Sequence, residues 1–336
     1  MDFLAGKIMA HFHEKGGRST LEMKKDIESF LRANGGVHKS KIGENIDPVL
    51  LRQTYKYCER LKNEGALLDF GNQRNVPILG NKYINLEFNA GLGEYGGYDF
   101  LVQGFQLIQK TFSESVLKIV VLDEIGDHSI GTCFVVKDNL IVTAKHCIEN
   151  FKKVIINDPL GHPIIPERIS ISKNPQIDVA IIQTKGCPFK GVKQLMFGEP
   201  EVLEEILTMG YPPLATFDAI QINDTAHINS IQKSSKGNVV AQELRYGEST
   251  DYIILNAKVK GGNSGGPVLN KFGTVVGIIV NILPDIEQPE KLDQLGYGIA
   301  ISANEIIEII ENDFKNNDGC VQLPFEILED GFCTLL

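Results

Sequence analysis

The sequence of 336 residues contains no tryptophan, only five methionines and only six cysteines. No apolar run reaches the roughly 18 residues that a transmembrane helix requires, so no membrane partner is predicted. The cysteines lack the spacing of a metal site, and neither a metal ion nor another cofactor is expected. The amino-terminal segment lacks the cleavage site of a secretory signal peptide. These absences favour a cytoplasmic protein with free thiols, although a disulfide between Cys133 and Cys147 stays open.

The charge is unevenly distributed along the chain. The net charge is −10, but residues 1–75 carry 13 basic and 10 acidic side chains, a balance of +3. The remaining residues carry 20 basic and 33 acidic side chains, a balance of −13. Since residues 1–75 are mildly basic and the remainder is acidic, the amino-terminal part is expected to have a different partner from the rest of the chain.

Helical patterns dominate residues 1–90, which we predict to form a small amino-terminal domain. Apolar periodicity predicts a helix over 3–14, and a second begins at the capping box of Ser19 and Glu22. A third begins at Asp47 as N-cap with Pro48 in its first turn, and a strand–turn–strand pattern follows. Three helices and a hairpin resemble a winged-helix domain of α+β class.

Two roles are open for this amino-terminal domain, which would act as a sensor or an adaptor. The third helix carries four cations, Arg52, Lys56, Arg60 and Lys62, and two acids, Glu59 and Glu64. Such a mixed face gives weak support to DNA binding. A contact with an activating protein or ligand, or oligomerisation, is the alternative.

Short strand patterns dominate the rest of the chain. A glycine-rich stretch at 91–99 predicts a linker. A helix near 100–112, about ten short apolar runs with turn signals between them, and a helix at 302–314 follow. This pattern is typical of a β-barrel or a β-sandwich, which we place at residues 100–315. Residues 316–336 form a carboxy-terminal tail that is apolar enough to dock on another surface.

Three short motifs carry the chemistry of a serine nucleophile. They occur in the order His146 in "TAKHC", Asp178 in "DVAII" and Ser264 in "GGNSGGP". A serine hydroxyl is a poor nucleophile until a base removes its proton, and an imidazole does so at neutral pH. A carboxylate must hold the imidazole in the correct tautomer. The three residues therefore form a candidate catalytic triad.

The glycines around Ser264 fit the need for free backbone N–H groups. Such groups stabilise the oxyanion of an acyl-transfer reaction. Gly262 can adopt a conformation that turns its N–H inward beside that of Ser264. Gly262, Asn263 and Ser264 are therefore the candidate oxyanion hole.

These motifs resemble those of trypsin-like serine proteases with the chymotrypsin fold, and most closely the HtrA-type bacterial branch. The segments "EILTMGYP", "GTVVGIIV" and "GYGIAIS" add to the resemblance. It implies a mainly β protease domain of two six-stranded barrels, with the His and Asp in the first barrel and the Ser in the second. It also implies an endopeptidase that cleaves protein substrates through an acyl-enzyme. We expect no PDZ domain after the last strand.

One departure from the digestive trypsins concerns the control of activity. Those enzymes have an aspartate at the position of Asn263, and the aspartate pairs with a newly cleaved amino terminus. A neutral amide cannot form that ion pair. We therefore expect the amino-terminal domain or a partner to control the site instead.

The substrate pocket is less well defined by the sequence. The resemblance places Lys258 near the pocket floor and Ile279, Asn281 and Ile299 at its walls. A buried ammonium would favour substrates with an acidic residue before the scissile bond. The alternative is that Lys258 and Lys260 face solvent.

Other functions fit parts of this pattern. The protease domain could belong to a DNA-bound or partner-bound regulator that cleaves itself or a repressor. It could also be an inactive binding module. An α/β-hydrolase esterase is excluded, because its catalytic residues occur in the order Ser, Asp, His.

Overall fold

The structure is a computed structural model of the chain. It describes residues 3–13, 25–41, 43–72, 75–123, 127–149, 152–213, 219–221, 227–244, 250–280, 297–314, 319–329 and 333–336. The chain divides into two compact units, Met1–Gly104 and Phe105–Leu336. Within the described ranges, no helix has both the length and the apolar character needed to cross a membrane.

The first unit combines short helices with two β-hairpins. In chain order its elements are α1 (Leu4–Phe12), α2 (Ile27–Ala33), β1 (Val37–Ser40), β2 (Gly43–Ile46), α3 (Pro48–Asn63), β3 (Leu68–Asn72), β4 (Asn81–Ile84), α4 (Ala90–Tyr95) and α5 (Gly97–Gln103). This confirms the predicted α+β class, with an additional hairpin between α2 and α3. The predicted capping box of Ser19 and Glu22 lies outside the described residues.

Capping side chains set the helix starts in this unit. The Asp47 carboxylate accepts the N–H groups of Val49 and Leu50 at 2.8 and 3.1 Å, as expected for an N-cap. The buried Asp99 carboxylate accepts the N–H groups of Ala5 and Gly6 in the first turn of α1. Each carboxylate thus satisfies donors that the helix itself leaves free.

The predicted linker at 91–99 is replaced by α4 and the start of α5, so this prediction is corrected. Gly97 in this segment, and Gly6 of α1 against it, serve close packing. A Cβ on Gly97 would collide with the side chain of Leu92, and a Cβ on Gly6 would lie 2.9 Å from the carbonyl oxygen of Gly93. The unit boundary falls instead at Gly104, where φ is +78°.

The second unit is mainly β, as predicted. Its elements in chain order are α6 (Phe105–Phe112), β5 (Val116–Leu122), β6 (His128–Lys137), β7 (Leu140–Thr143), β8 (Lys153–Ile156), β9 (Pro166–Ser172), β10 (Ala180–Thr184), β11 (Glu205–Gly210), β12 (Ala219–Gln221), β13 (His227–Asn229), β14 (Lys233–Leu244), β15 (Asp251–Leu255), β16 (Pro267–Asn270), β17 (Val275–Val280), β18 (Gly298–Ser302), α7 (Ala303–Phe314), β19 (Cys320–Gln322), β20 (Phe325–Ile327) and β21 (Cys333–Leu335).

Most of these strands belong to two large sheets, while β12 and β13 pair only with each other. The first sheet has nine strands in the order β19-β9-β10-β7-β6-β5-β8-β21-β20, and the second is a closed barrel in the order β11-β14-β15-β18-β17-β16. Apolar side chains fill the closed barrel. Among them are the fully buried Ile206, Val239, Ile253, Val268 and Ile279. A nine-stranded sheet and a closed six-stranded barrel thus take the place of a single barrel or sandwich.

The carboxy-terminal tail belongs to the first sheet. Strand β19 pairs with β9, and β21 pairs with β8, so the tail covers the outer edges of both strands. Cys333 and Leu335 line a small apolar cavity together with side chains such as Ile148 and Val154. Covering an edge strand satisfies its backbone hydrogen-bonding groups. The sheet therefore differs from the expected six-stranded barrel by the strands that the tail adds.

Candidate active site

Strand register brings His146 and Asp178 together. Strands β7 and β10 are antiparallel neighbours, with Ala180 opposite Thr143. Residues just after β7 therefore lie beside residues just before β10. His146 lies in a 3₁₀ turn at Lys145–Cys147, directly after the fully buried strand β7, and Asp178 lies two residues before β10.

Two hydrogen bonds join the two residues. The backbone N–H of His146 donates to Asp178 Oδ1 at 2.8 Å, and Nδ1 of the imidazole is bonded to Asp178 Oδ2. The His146 side chain is 35% exposed and that of Asp178 only 12%. The imidazole is thus held through Nδ1, and its Nε2 takes no part in the contact with Asp178.

The surroundings of His146 favour its charged form. Burial lowers its pKa, but the hydrogen bond that the imidazole donates to Asp178 and the neighbouring Cys147 raise it more, so the net pKa lies above 6.5. A carboxylate on Nδ1 fixes the tautomer with its lone pair on Nε2 in the neutral form. The pair can therefore accept a proton at Nε2 and stabilise the resulting cation.

A thiol that the sequence argument did not assign lies beside the imidazole. Cys147 Sγ is 3.7 Å from His146 Nε2 and donates to the carbonyl oxygen of Ser264 at 3.4 Å. It therefore links the 3₁₀ turn at Lys145–Cys147, called the histidine turn below, to the turn around Ser264, called the serine turn. A Cβ on Gly131 would lie 2.8 Å from this sulfur, which explains the glycine there. Both Cys147 and Cys133 are buried free thiols, so the open disulfide does not form.

The turn around Ser264 has the left-handed backbone conformations that its glycines permit. φ is +92° at Gly262 and +81° at Gly265. Gly265 N–H donates to the carbonyl oxygen of Ile279 at 2.7 Å, and Gly266 N–H donates to that of Asn263 at 2.8 Å. Ser264 itself is half-buried.

The N–H groups of this turn differ in their partners. Those of Gly262 and Ser264 have no acceptor among the residues that the structure describes. Asn263 N–H instead donates to the carbonyl oxygen of Lys260 at 3.0 Å. This corrects the predicted inclusion of Asn263, because its N–H is already used inside the turn. The N–H groups of Gly262 and Ser264 are therefore available as donors within the described part of the chain.

The three described pocket candidates, Lys258, Ile279 and Ile299, have different surroundings. Lys258 is exposed, and the fully buried Ile279 packs inside the second barrel. Ile279 is therefore corrected from a pocket wall to a core residue. Ile299 is half-buried. It lies on the face of β18 opposite to that of the core residue Ala300. Asn281 lies outside the described residues.

No metal centre competes with this site in the described part of the chain, where no group of three or more His, Cys, Asp or Glu side chains is placed to hold an ion.

Sequence comparison connects this geometry to known proteins. Residues 131–278 match the family model of the trypsin-like peptidase domain. A probable periplasmic serine endoprotease, DegP-like, from Chlamydia pneumoniae is 30% identical over 205 residues, which cover 59% of this chain and 38% of the relative. The serine endoprotease DegS of Haemophilus influenzae is 23% identical over 193 residues, 57% of this chain and 53% of the relative.

Among solved structures, the serine endoprotease from Yersinia pestis aligns with a TM-score of 0.46 and 17% identity, over 62% of this chain and 66% of that chain. This chain thus spans about two fifths to a half of the length of the curated relatives it matches. Residues 131–278 thus match a trypsin-like peptidase domain, and the chain is similar to serine endoproteases of the DegP and DegS type.

Proposed function

We propose that the chain is a serine endopeptidase that uses His146, Asp178 and Ser264. The observation that carries this proposal is the imidazole held by Asp178 beside a turn whose Gly262 and Ser264 N–H groups have no acceptor in the described residues. The match to a trypsin-like peptidase domain supports the same reaction class.

The proposed reaction proceeds in two steps. Ser264 Oγ attacks the scissile carbonyl carbon while His146 Nε2 takes its proton, and Asp178 stabilises the imidazolium. The N–H groups of Gly262 and Ser264 donate to the oxyanion. His146 then gives the proton to the departing amine, which leaves an acyl-enzyme. A water molecule deprotonated by the same imidazole hydrolyses the ester.

A fluorophosphonate probe tests this proposal on the full chain. The probe forms a bond between Ser264 Oγ and phosphorus, with fluoride as leaving group. We expect labelling that Ser264→Ala abolishes and that Asp178→Asn slows by about 10⁴-fold, since a wrong tautomer disables the base. Ser129→Ala, an exposed serine on β6, is the control and should label normally. Labelling that persists in Ser264→Ala would refute the proposed nucleophile, and absent labelling would favour an inactive binding module.

The first unit is proposed to control this activity. Inserting a recognition sequence for a site-specific protease after Gly104, at the unit boundary, allows the labelling rate to be measured before and after cutting. An increase on cutting is expected if the first unit restrains the site. An unchanged labelling rate would contradict the proposal that the first unit controls the activity.

DNA is a candidate partner of the first unit. Lys62 pairs with Glu59 at 2.7 Å and with Asp69 at 3.3 Å, whereas Arg52 and Lys56 have no acidic partner in the part of the chain that is described. Both are exposed on α3. If they contact phosphates, affinity for duplex DNA should fall with salt by a log–log slope of about −0.9 per contact, and Arg52→Glu with Lys56→Glu should abolish it. Binding that the double variant retains would exclude this surface.

The acidic substrate preference also remains a proposal. Lys258 is exposed in the segment before the nucleophile, where an acidic side chain of a substrate can reach it. A peptide library should then show cleavage after Asp and Glu that Lys258→Ala reduces. Cleavage after large apolar residues, unchanged in that variant, would contradict it.

A further inference from the structure

A threonine of the first sheet donates two hydrogen bonds to the backbone of the serine turn. Thr132 lies on β6 and is fully buried. Its N–H donates to the carbonyl oxygen of Ser264 at 2.8 Å, and its hydroxyl donates to the carbonyl oxygen of Gly262 at 2.7 Å. One residue therefore binds the carbonyl groups on both sides of Asn263.

The Thr132 hydroxyl also works as an acceptor. Tyr211 N–H donates to Oγ1 at 3.1 Å, and the same N–H reaches the carbonyl oxygen of Gly262 at 3.3 Å. Thr143 Oγ1 donates to the carbonyl oxygen of Thr132 at 2.8 Å. The hydroxyl thus joins the serine turn to the segment after β11, and Thr143 fixes the backbone that presents it.

Close packing leaves this arrangement little freedom. A Cβ on Gly262 would lie 2.8 Å from Pro212 Cα, and a Cβ on Gly266 would lie 3.3 Å from the methyl group of Thr132. A Cβ on Gly210 would lie 3.0 Å from Thr132 Oγ1. Glycines thus surround the threonine where a larger residue would push it away from the turn.

These hydrogen bonds act on the peptide planes next to those that carry the two available N–H groups. Fixing the Gly262 carbonyl sets the plane between Gly262 and Asn263, and fixing the Ser264 carbonyl sets the plane that follows the nucleophile. The two N–H groups lie on the peptide planes next to these. If one of these peptide planes rotated, its N–H would point away from the oxyanion. Catalytic geometry tolerates little such displacement.

We propose that Thr132 is a positioning residue. Its hydroxyl fixes the Gly262 carbonyl and its backbone N–H fixes the Ser264 carbonyl, and the hydroxyl bond is needed to keep the neighbouring N–H groups of Gly262 and Ser264 in the orientation that binds the oxyanion. The inference rests on the proposed peptidase function for its consequence in catalysis. The hydrogen bonds that it invokes are independent of that function.

Three variants of the full chain separate the hydroxyl from the bulk of the side chain. Thr132→Val keeps the shape and removes the hydroxyl, whereas Thr132→Ser keeps the hydroxyl and removes the methyl group. Thr208→Val is the matched control, because Thr208 is also buried on a strand and its hydroxyl makes one hydrogen bond, to the Ser235 carbonyl oxygen at 3.2 Å.

The kinetic readout is the maximal rate of reaction with a fluorophosphonate, measured separately from the probe concentration at half-maximal rate. Thr132→Val should lower the maximal rate by about 10- to 100-fold, because a misplacement of about 1 Å costs up to about 10²-fold. The half-saturating concentration should stay within about two-fold, as expected when an interaction acts in the transition state alone. Thr132→Ser should recover the rate and Thr208→Val should keep it.

A second readout does not require activity. Hydrogen exchange of the Asn263 and Gly266 amides, both bonded inside the turn, should accelerate in Thr132→Val and stay near that of the parent chain in Thr132→Ser. A parent chain that does not react with the probe would refute the proposed peptidase, while exchange still tests Thr132. Unchanged exchange in Thr132→Val, or equal effects in both Thr132 variants, would overturn the positioning role.

Discussion

Gly265 offers a quantitative test of the serine turn. Its φ is +81°, and a Cβ there would collide with the Thr132 carbonyl oxygen and the Thr143 hydroxyl and would lie 2.9 Å from the Ala144 nitrogen. A left-handed conformation costs an ordinary residue about 1–2 kcal/mol. Overpacking of a tight site typically adds about 1–3 kcal/mol. We expect Gly265→Ala to lower the free energy of unfolding by about 2–5 kcal/mol, the sum of both effects.

Two other glycines separate the conformational contribution to this loss of stability from the contribution of overpacking. Gly186 has a φ of +73° with nothing within 4 Å of a Cβ, so Gly186→Ala should lose only the conformational part, about 1–2 kcal/mol. Gly261, in the same turn as Ser264, has open space and no left-handed φ. Gly261→Ala should therefore stay within about 0.5 kcal/mol of the parent chain.

Urea unfolding measures all three variants, followed by circular dichroism because the chain has no tryptophan. The expected order of loss is Gly265→Ala, then Gly186→Ala, then Gly261→Ala. A loss in Gly265→Ala no greater than in Gly186→Ala would refute the close packing of the turn against β6 and β7.

Two further predictions concern pH and the tail. Since the pKa of His146 lies above 6.5, its stabilising contribution is full below pH 6.5 and is lost as pH rises through the raised value. The rate of probe labelling should rise over the same range, and its midpoint should fall in Asp178→Asn; an unmoved midpoint would refute the pairing. In the tail, Leu335→Asp should cost about 1–3 kcal/mol because Leu335 lines the apolar cavity, whereas Leu336→Asp, 71% exposed, should cost under about 0.5 kcal/mol in thermal unfolding. Equal costs would refute the docking.

Local signals in the sequence predicted much of the fold. Helix α3 begins where Asp47 and Pro48 place its cap, and most strands of the second unit follow the short apolar runs. The three motifs identified His146, Asp178 and Ser264 as candidates, which stay proposals until their chemistry is measured. These features were readable because capping and strand patterns depend on residues close in sequence.

Other features depend on contacts that no local pattern encodes. The glycines at 91–99 resemble a flexible segment, yet their lack of a side chain permits close packing of helices. All six residues of β17 are buried, so alternation could not show that Ile279 faces the barrel core. The roles of Cys147 and Thr132 follow from β6 and the histidine turn meeting the serine turn, more than 100 residues away.

The identity of the acylated residue tests the central claim most directly. The full chain is mixed with an activated ester, stopped in acid, and digested, and mass spectrometry locates the acyl group. The account predicts an acyl group on Ser264, absent in Ser264→Ala and greatly reduced in Asp178→Asn. An adduct on the neighbouring thiol of Cys147, or on any residue other than Ser264, would contradict it.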